Sequence, residues 1–305
     1  MGYSGRYHAA SLAAVFVALA IGILIGIGLA DDVVSGAAEE IESSLRSDLS
    51  EASERADGLQ VNLDREQVFS EQVFPALVAG MLERRGVAVV ELGPGDEEIE
   101  ADAREAIEAA GGEVASFAVV QTPADVSALL EAAGPRFAPG RNPAGATLLG
   151  NAIGSQLAGG GPLIERVMPE LFETFSGTLA GADYVVVIRG ETEDGEATAE
   201  QGVFEGALLE GLAAGAEGSV GIELTTTDPT TLGPITDAGI PTADHLDLPA
   251  GKVALVFALL GADGSFGVKD GAAGLIPDLG ELTAPPSDAI GGAASAGDSR
   301  GRPNP

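Results

Sequence analysis

Asp244, His245 and Asp247 are the place where the chain sets an imidazole among carboxylates. That pairing suits a borderline metal such as Cu(II), or acid-base work. A tight metal site asks for more nitrogen or sulfur than one imidazole supplies, and the chain has no Cys, three Met and two His. The same residues also have structural uses. Asp244 can satisfy loop backbone, and Asp247 can help cap a helix starting near Pro249. His8 lies before a long apolar run, so His245 alone would have to carry any Ser/His/Asp or Cys/His chemistry. No catalytic residue and no enzymatic activity are assigned.

Two other segments have the composition of sites. Gly93-Pro94-Gly95 follows an apolar strand, where an α/β fold can cradle phosphate, but Asp96, Glu97 and Glu98 come next. Carboxylates there repel a nucleotide and satisfy a helix N-terminus, and no GxGxxG or Walker pattern is present. Glu191, Glu193, Asp194 and Glu196 (within GETEDGE) gather oxygen ligands without the EF-hand spacing, and read as a solvated acidic loop.

The elements that position these residues follow from periodicity. Pro75 to Arg85 reads as a helix stopped by Gly86, followed by the buried strand Val87 to Leu92. A helix over Glu97 to Ala110 ends at Gly111-Gly112, and a strand runs from Val114 to Val120. Thr122-Pro123 opens a helix ending near Ala132. Later come a strand at Tyr184 to Ile188, a helix at Ala197 to Ala214, a strand at Ser219 to Leu224 and a helix at Ala250 to Leu260. Strand runs such as VAVVEL and YVVVI lack polar alternation, as expected where helices cover both faces of a parallel sheet. The fold class is α/β: a doubly wound, mostly parallel sheet domain. Residues 134–180, with five prolines and apolar groups at Leu148, Leu149, Ile153, Leu157 and again from Ile164 to Phe175, predict a helical insertion of two helices.

The N-terminal region has a different character. Ala9 to Ala30 is uncharged, and about 22 residues at about 1.5 Å rise span roughly 33 Å, enough for a bilayer core of about 30 Å. Arg6 before it and Asp31 and Asp32 after it place the N-terminus inside and the bulk of the chain outside. A cleaved signal peptide ending at Gly28-Leu29-Ala30 is the rival reading, although its apolar core usually runs about 7 to 15 residues. Gly22 and Gly26 form a GxxxG pair that lets two helices approach. Beyond the span, Ala37, Ile41, Leu45, Leu49, Ala52, Ala56, Leu59 and Leu63 recur at threes and fours, which predicts a coiled coil needing a partner helix. Three opening steps of four resemble a stutter.

These readings divide the chain into a cytoplasmic N-terminus (1–8), a transmembrane helix (9–30), a coiled coil (31–72), an extracytoplasmic α/β domain (73–282) and a disordered tail (283–305). Formal net charge is −32, which disfavours nucleic acid and anionic polymers as partners. The partners expected are the membrane and, through the coiled coil, a second copy or an envelope protein. No disulfide is available, so stability rests on packing.

Tyr7 to Leu29 (YHAASLAAVFVALAIGILIGIGL), the acidic helix behind it, and GIPTADHLDLPAGKVALVFALLG followed by GSFG resemble the actinobacterial MctB-like copper transport protein family, over about residues 6 to 280. The resemblance implies a cell-envelope protein linked to copper efflux or homeostasis, and copper enters as a ligand only through it. His245 stands where the family block would carry Asn, so no copper ligand is transferred. A single apolar helix cannot enclose a pore, and its one polar side chain is Ser11. The buried strand pattern also differs from the alternating strands of a membrane barrel. The alternative expectation is a cell-envelope or cell-division scaffold acting through its coiled coil and α/β domain.

Overall fold

The computed structural model describes residues 5–94, 97–137, 143–178, 182–190 and 198–278. Gly95, Asp96, Glu191, Glu193, Asp194, Glu196 and the tail over 283–305 lie outside the described residues. The chain divides between Val68 and Phe69.

The first unit is part of one unbroken helix, α1 (Gly5–Val78). Within it Tyr7–Gly26 is long and apolar enough to cross a membrane, with mean hydropathy 2.5 and none of it buried. Further along, Ile41, Leu45, Leu49, Leu59 and Leu63 are each 64–70% exposed. Arg46 pairs with Glu42 (2.6 Å) and Arg55 with Glu51 (3.4 Å), both at i,i+4, which supports the helix by a few tenths of a kcal/mol per pair.

The second unit is a seven-stranded sheet in the order β3-β2-β1-β4-β5-β6-β7. Its strands are β1 (Gly86–Leu92), β2 (Glu113–Val120), β3 (Phe172–Gly177), β4 (Tyr184–Arg189), β5 (Gly218–Ile222), β6 (Thr242–Ala243) and β7 (Ser265–Phe266). All pairings are parallel except β2 with β3. Every residue of β1 is buried, because it lies mid-sheet between β2 and β4 with apolar packing on both faces. Val87 and Val89 join a core with the end of α1 (Phe74, Val78), α2 (Glu97–Ala109) and α8 (Pro249–Leu259). Ala88, Val90 and Leu92 join the opposite core with α3 (Val126–Ala133), α4 (Pro143–Gly159), α5 (Pro162–Leu171), α6 (Ala199–Gly215) and α7 (Gly233–Asp237).

Three sequence expectations are corrected. No separate helix spans Pro75 to Arg85: α1 runs through Pro75 to Val78, and Gly80 (φ 75°) opens a turn that Gly86 leaves as a strand. Burial of Phe74 and Val78 against the sheet outweighs the hydrogen bond a proline forfeits inside a helix. The helix after Thr122-Pro123 begins only at Val126, because the Asp125 carboxylate accepts the Ala128 N–H and fixes the cap there. The last apolar group of the 134–180 segment is not all helical. α5 stops at Leu171, and Phe172–Gly177 extends along β2 as an antiparallel edge strand, with Phe172 buried and its ring stacked 5.4 Å from Phe175. The short elements α7, β6 and β7 escaped the periodicity, being too brief to show one.

Candidate functional site

Polar side chains concentrate where β5, β6 and β7 end. Glu223 directly follows β5 and is 1% exposed. Its carboxylate accepts hydrogen bonds from the Thr230 hydroxyl (2.8 Å), the Thr231 N–H (2.8 Å) and hydroxyl (3.1 Å), and the Lys269 ammonium (2.7 Å). Lys269 Nζ also donates to the Leu224 and Thr227 carbonyls (3.1 and 2.6 Å). A buried carboxylate is sustainable only with such partners. The group ties the 224–231 loop to the segment after β7.

Asp244 follows β6, and its two oxygens accept the N–H groups of Val268 (2.8 Å) and Lys269 (3.1 Å). The approach is so close that a Cβ on Gly267 (φ 150°) would lie 1.8 Å from Asp244 Oδ1, so only glycine fits there. Asp247 accepts from the Thr225 N–H (2.8 Å) and hydroxyl (2.7 Å) instead of capping α8. The three predicted residues therefore share one loop, but both carboxylates are engaged with backbone and hydroxyl donors. Among the described residues no three His, Cys, Asp or Glu side chains gather as metal ligands.

His245 is fully buried, and neither ring nitrogen has a hydrogen-bond partner. Asp244 Oδ1 is 3.7 Å from Nδ1, beyond a hydrogen bond. Burial lowers the imidazole pKa below its usual value, against the pull of Asp244, the Leu275 carbonyl and Asp247 toward the charged form. The Leu275 carbonyl lies close enough to favour a proton on the ring but makes no hydrogen bond. A lowered folded pKa means the unfolded chain takes up protons first as pH falls. Stability is complete above about pH 6.5 and declines below it, by at most about 1.4 kcal/mol per pH unit, until the folded ring itself protonates. We expect His245→Asn to flatten this slope. Denaturant unfolding in detergent between about pH 7.5 and 5.5, above the ordinary carboxylate range, checks it; equal slopes in native and variant proteins would refute the assignment.

The remaining sequence candidates fall elsewhere. Gly93 (φ 89°) turns out of β1 and its N–H reaches the Val120 carbonyl, while a Cβ on Gly190 would meet the Pro94 carbonyl at 2.2 Å. Gly93 and Pro94 are thus packed against the chain leaving β4. Gly22 and Gly26 have no atom within 4 Å of an added Cβ, so their surface is open. An open cleft of about 360 Å³ lies between the starts of α3 and α6, lined by Pro123, Asp125, Ser127, Thr198, Glu200 and Gln201. Asp125 and the Thr198–Gln201 capping box already occupy N–H groups of those helix ends, and Gln201 donates to the Ala124 carbonyl.

Sequence reasoning missed Glu223 and Lys269. One signal was available: an acid ending the apolar run SVGI, which a parallel strand buries. Lys252 gave the same kind of signal, standing in the otherwise apolar α8, where it pairs with Asp102 (2.8 Å) and Glu105 of α2.

A family model described as "Copper transport outer membrane protein, MctB" matches residues 3–277. The chain belongs to this MctB family. The match takes in the apolar start of α1, the whole sheet and the Glu223–Lys269 group. No curated protein matches the chain. Membership and the apolar helix together make this MctB-family chain a membrane-anchored protein associated by family with copper transport.

Proposed function

We propose that this MctB-family protein serves copper efflux or homeostasis in the cell envelope through protein contacts, with copper as the cargo of the system and not a resident ligand of this chain. The match over residues 3–277 carries the copper role. The donor set supports the contact role: no Cys, three Met and two His offer little to a soft metal. The sheet is open, with β3 and β7 at its edges, so it encloses no channel of its own. In this reading the N-terminus is cytoplasmic, in line with Arg6 before the span and Asp31 and Asp32 after it, and the α/β unit lies outside. In this reading the unit is doubly wound and acts without catalysis; the parallel order β2-β1-β4-β5, which reverses between β1 and β4, supports the winding.

Deletion of the gene is expected to raise cell copper and lower copper tolerance, while the purified full-length protein retains less than stoichiometric copper by elemental analysis. Unchanged copper content and tolerance in the deletion would remove the copper role. Tight stoichiometric copper on the purified chain would remove the contact reading.

The second reading, an envelope or division scaffold, is favoured by the exposed apolar stripe Ile41, Leu45, Leu49, Leu59 and Leu63. It predicts altered cell shape on deletion and an envelope protein recovered with the chain from membranes. Normal shape with no such partner would dismiss it.

A further inference from the structure

We propose that α1 pairs in parallel with α1 of a second copy along one seam that runs from the membrane span into the stripe beyond it, set by an eleven-residue repeat. The inference builds on the contact reading above and names its partner.

The repeat is visible in the residue numbers. Leu19, Ile41, Ala52 and Leu63 are separated by multiples of eleven, as are Ile23, Leu45 and Ala56, and as are Gly26, Asp48 and Leu59. Eleven residues make three turns at about 3.67 residues per turn, so these positions hold one face over the full length of the helix. The successive steps of four at Ala37, Ile41 and Leu45, irregular for a heptad, are ordinary in this frame, while Leu49 flanks the seam. A heptad frame through Leu45, Leu49, Ala52, Ala56, Leu59 and Leu63 instead reaches the span at Ile21 and Leu24. The two frames therefore predict different faces inside the membrane. The eleven-residue frame gives a right-handed twist, the same hand as close GxxxG crossings, and it puts Gly26 on the seam with Gly22 beside it.

The helix is continuous from Gly5 to Val78, and the seam residues on both parts are exposed: Leu19 is 56%, Ile23 54% and Leu45 67% exposed, and the surface over Gly26 is open. Far from the seam the frame places Ser43, Ser47, Ser50, Glu54 and Gly58, all small or polar. Glu51 and Asp57 also lie off it, and Asp48 is the one charged residue that the frame brings to the seam between Ile41 and Leu63, so the helix still meets its partner on its least charged side. A partner that fits both the span and the stripe must enter the membrane at the same height and carry the same spacing beyond it. A second copy meets both conditions by identity, and its shared anchor forces the parallel orientation.

The absence of cysteine makes the test clean. Two differently tagged copies carrying the same single cysteine are co-expressed, and membranes are mildly oxidised. Leu19→Cys, Ile23→Cys, Ala52→Cys and Ala56→Cys are expected to form a disulfide-linked product bearing both tags several-fold more efficiently than Ile21→Cys, Leu24→Cys, Ser50→Cys and Glu54→Cys. Preferential linking at Ile21→Cys and Leu24→Cys would overturn the frame. Linking confined to Ala52→Cys and Ala56→Cys would overturn the continuous seam. No product at any position, or an adduct bearing one tag and a foreign mass, would overturn the second copy as partner. Copper enters none of these readouts, so the pairing stands or falls separately from the copper role.

Discussion

Lys269→Met is expected to destabilise the α/β unit by about 3–5 kcal/mol, the cost of leaving a buried charge without its counter-ion. Glu223 is 1% exposed and, once the ammonium is gone, keeps only the Thr230 and Thr231 donors. The Leu224 and Thr227 carbonyls lose a donor as well, so the 224–231 loop loosens at three points. Pairing Lys269→Met with Glu223→Gln removes the stranded charge and should recover much of the loss. Urea unfolding of the full chain in detergent gives the comparison. A loss under about 1 kcal/mol for Lys269→Met, or no recovery in the double variant, would show that the cluster does not hold this end of the sheet.

Gly154→Val should cost about 3 kcal/mol or more, at the upper end of overpacking effects. Helices α4 and α6 touch backbone to backbone through glycines: an added Cβ at Gly154 would sit 2.2 Å from the Leu208 carbonyl, and one at Gly211 would sit 2.4 Å from that of Asn151. No rotamer relieves a clash made by Cβ itself, so the helices must separate and Leu149, Ile153, Leu208 and Leu212 lose contact in a core where all are at most 1% exposed. Gly206→Ala on the same α6 provides the control. Nothing lies within 4 Å of its added Cβ, so it should be neutral or stabilise by up to about 1 kcal/mol through helix propensity. Thermal unfolding distinguishes the pair, and equal behaviour would mean that α4 and α6 are not in backbone contact.

The elements most legible in the sequence were those with a long apolar run or stripe. The strands β1, β2, β4 and β5 and the helices α2, α6 and α8 lie within a few residues of their expected bounds. The strands show as short unbroken apolar runs and the helices as longer apolar segments, and glycine or a capping residue marks several of their ends. Phe172–Gly177 was lost to a helix because its apolar spacing continues that of α5. Only the open edge of β2 makes it a strand, a fact about a neighbour far away in the chain. Thr122-Pro123 misled for a related reason: proline marks a helix start well, but the Asp125 cap decided where the turn would close.

The candidate loop divides in the same way. Composition placed Asp244, His245 and Asp247 together and showed that imidazole and sulfur are scarce, because those are properties of residue types. What the carboxylates do was settled by the fold, which brings Val268, Lys269 and Thr225 within hydrogen-bond reach and leaves the His245 ring buried without a partner. The sequence by itself determined an apolar helix long enough for a bilayer, a mixed α/β fold and membership of a copper transport family. Tertiary structure alone decided that Glu223 meets Lys269 and that α4 lies glycine to glycine on α6. Periodicity reports which face of an element is apolar. Which distant groups meet depends on chain crossing and register, which no local pattern encodes.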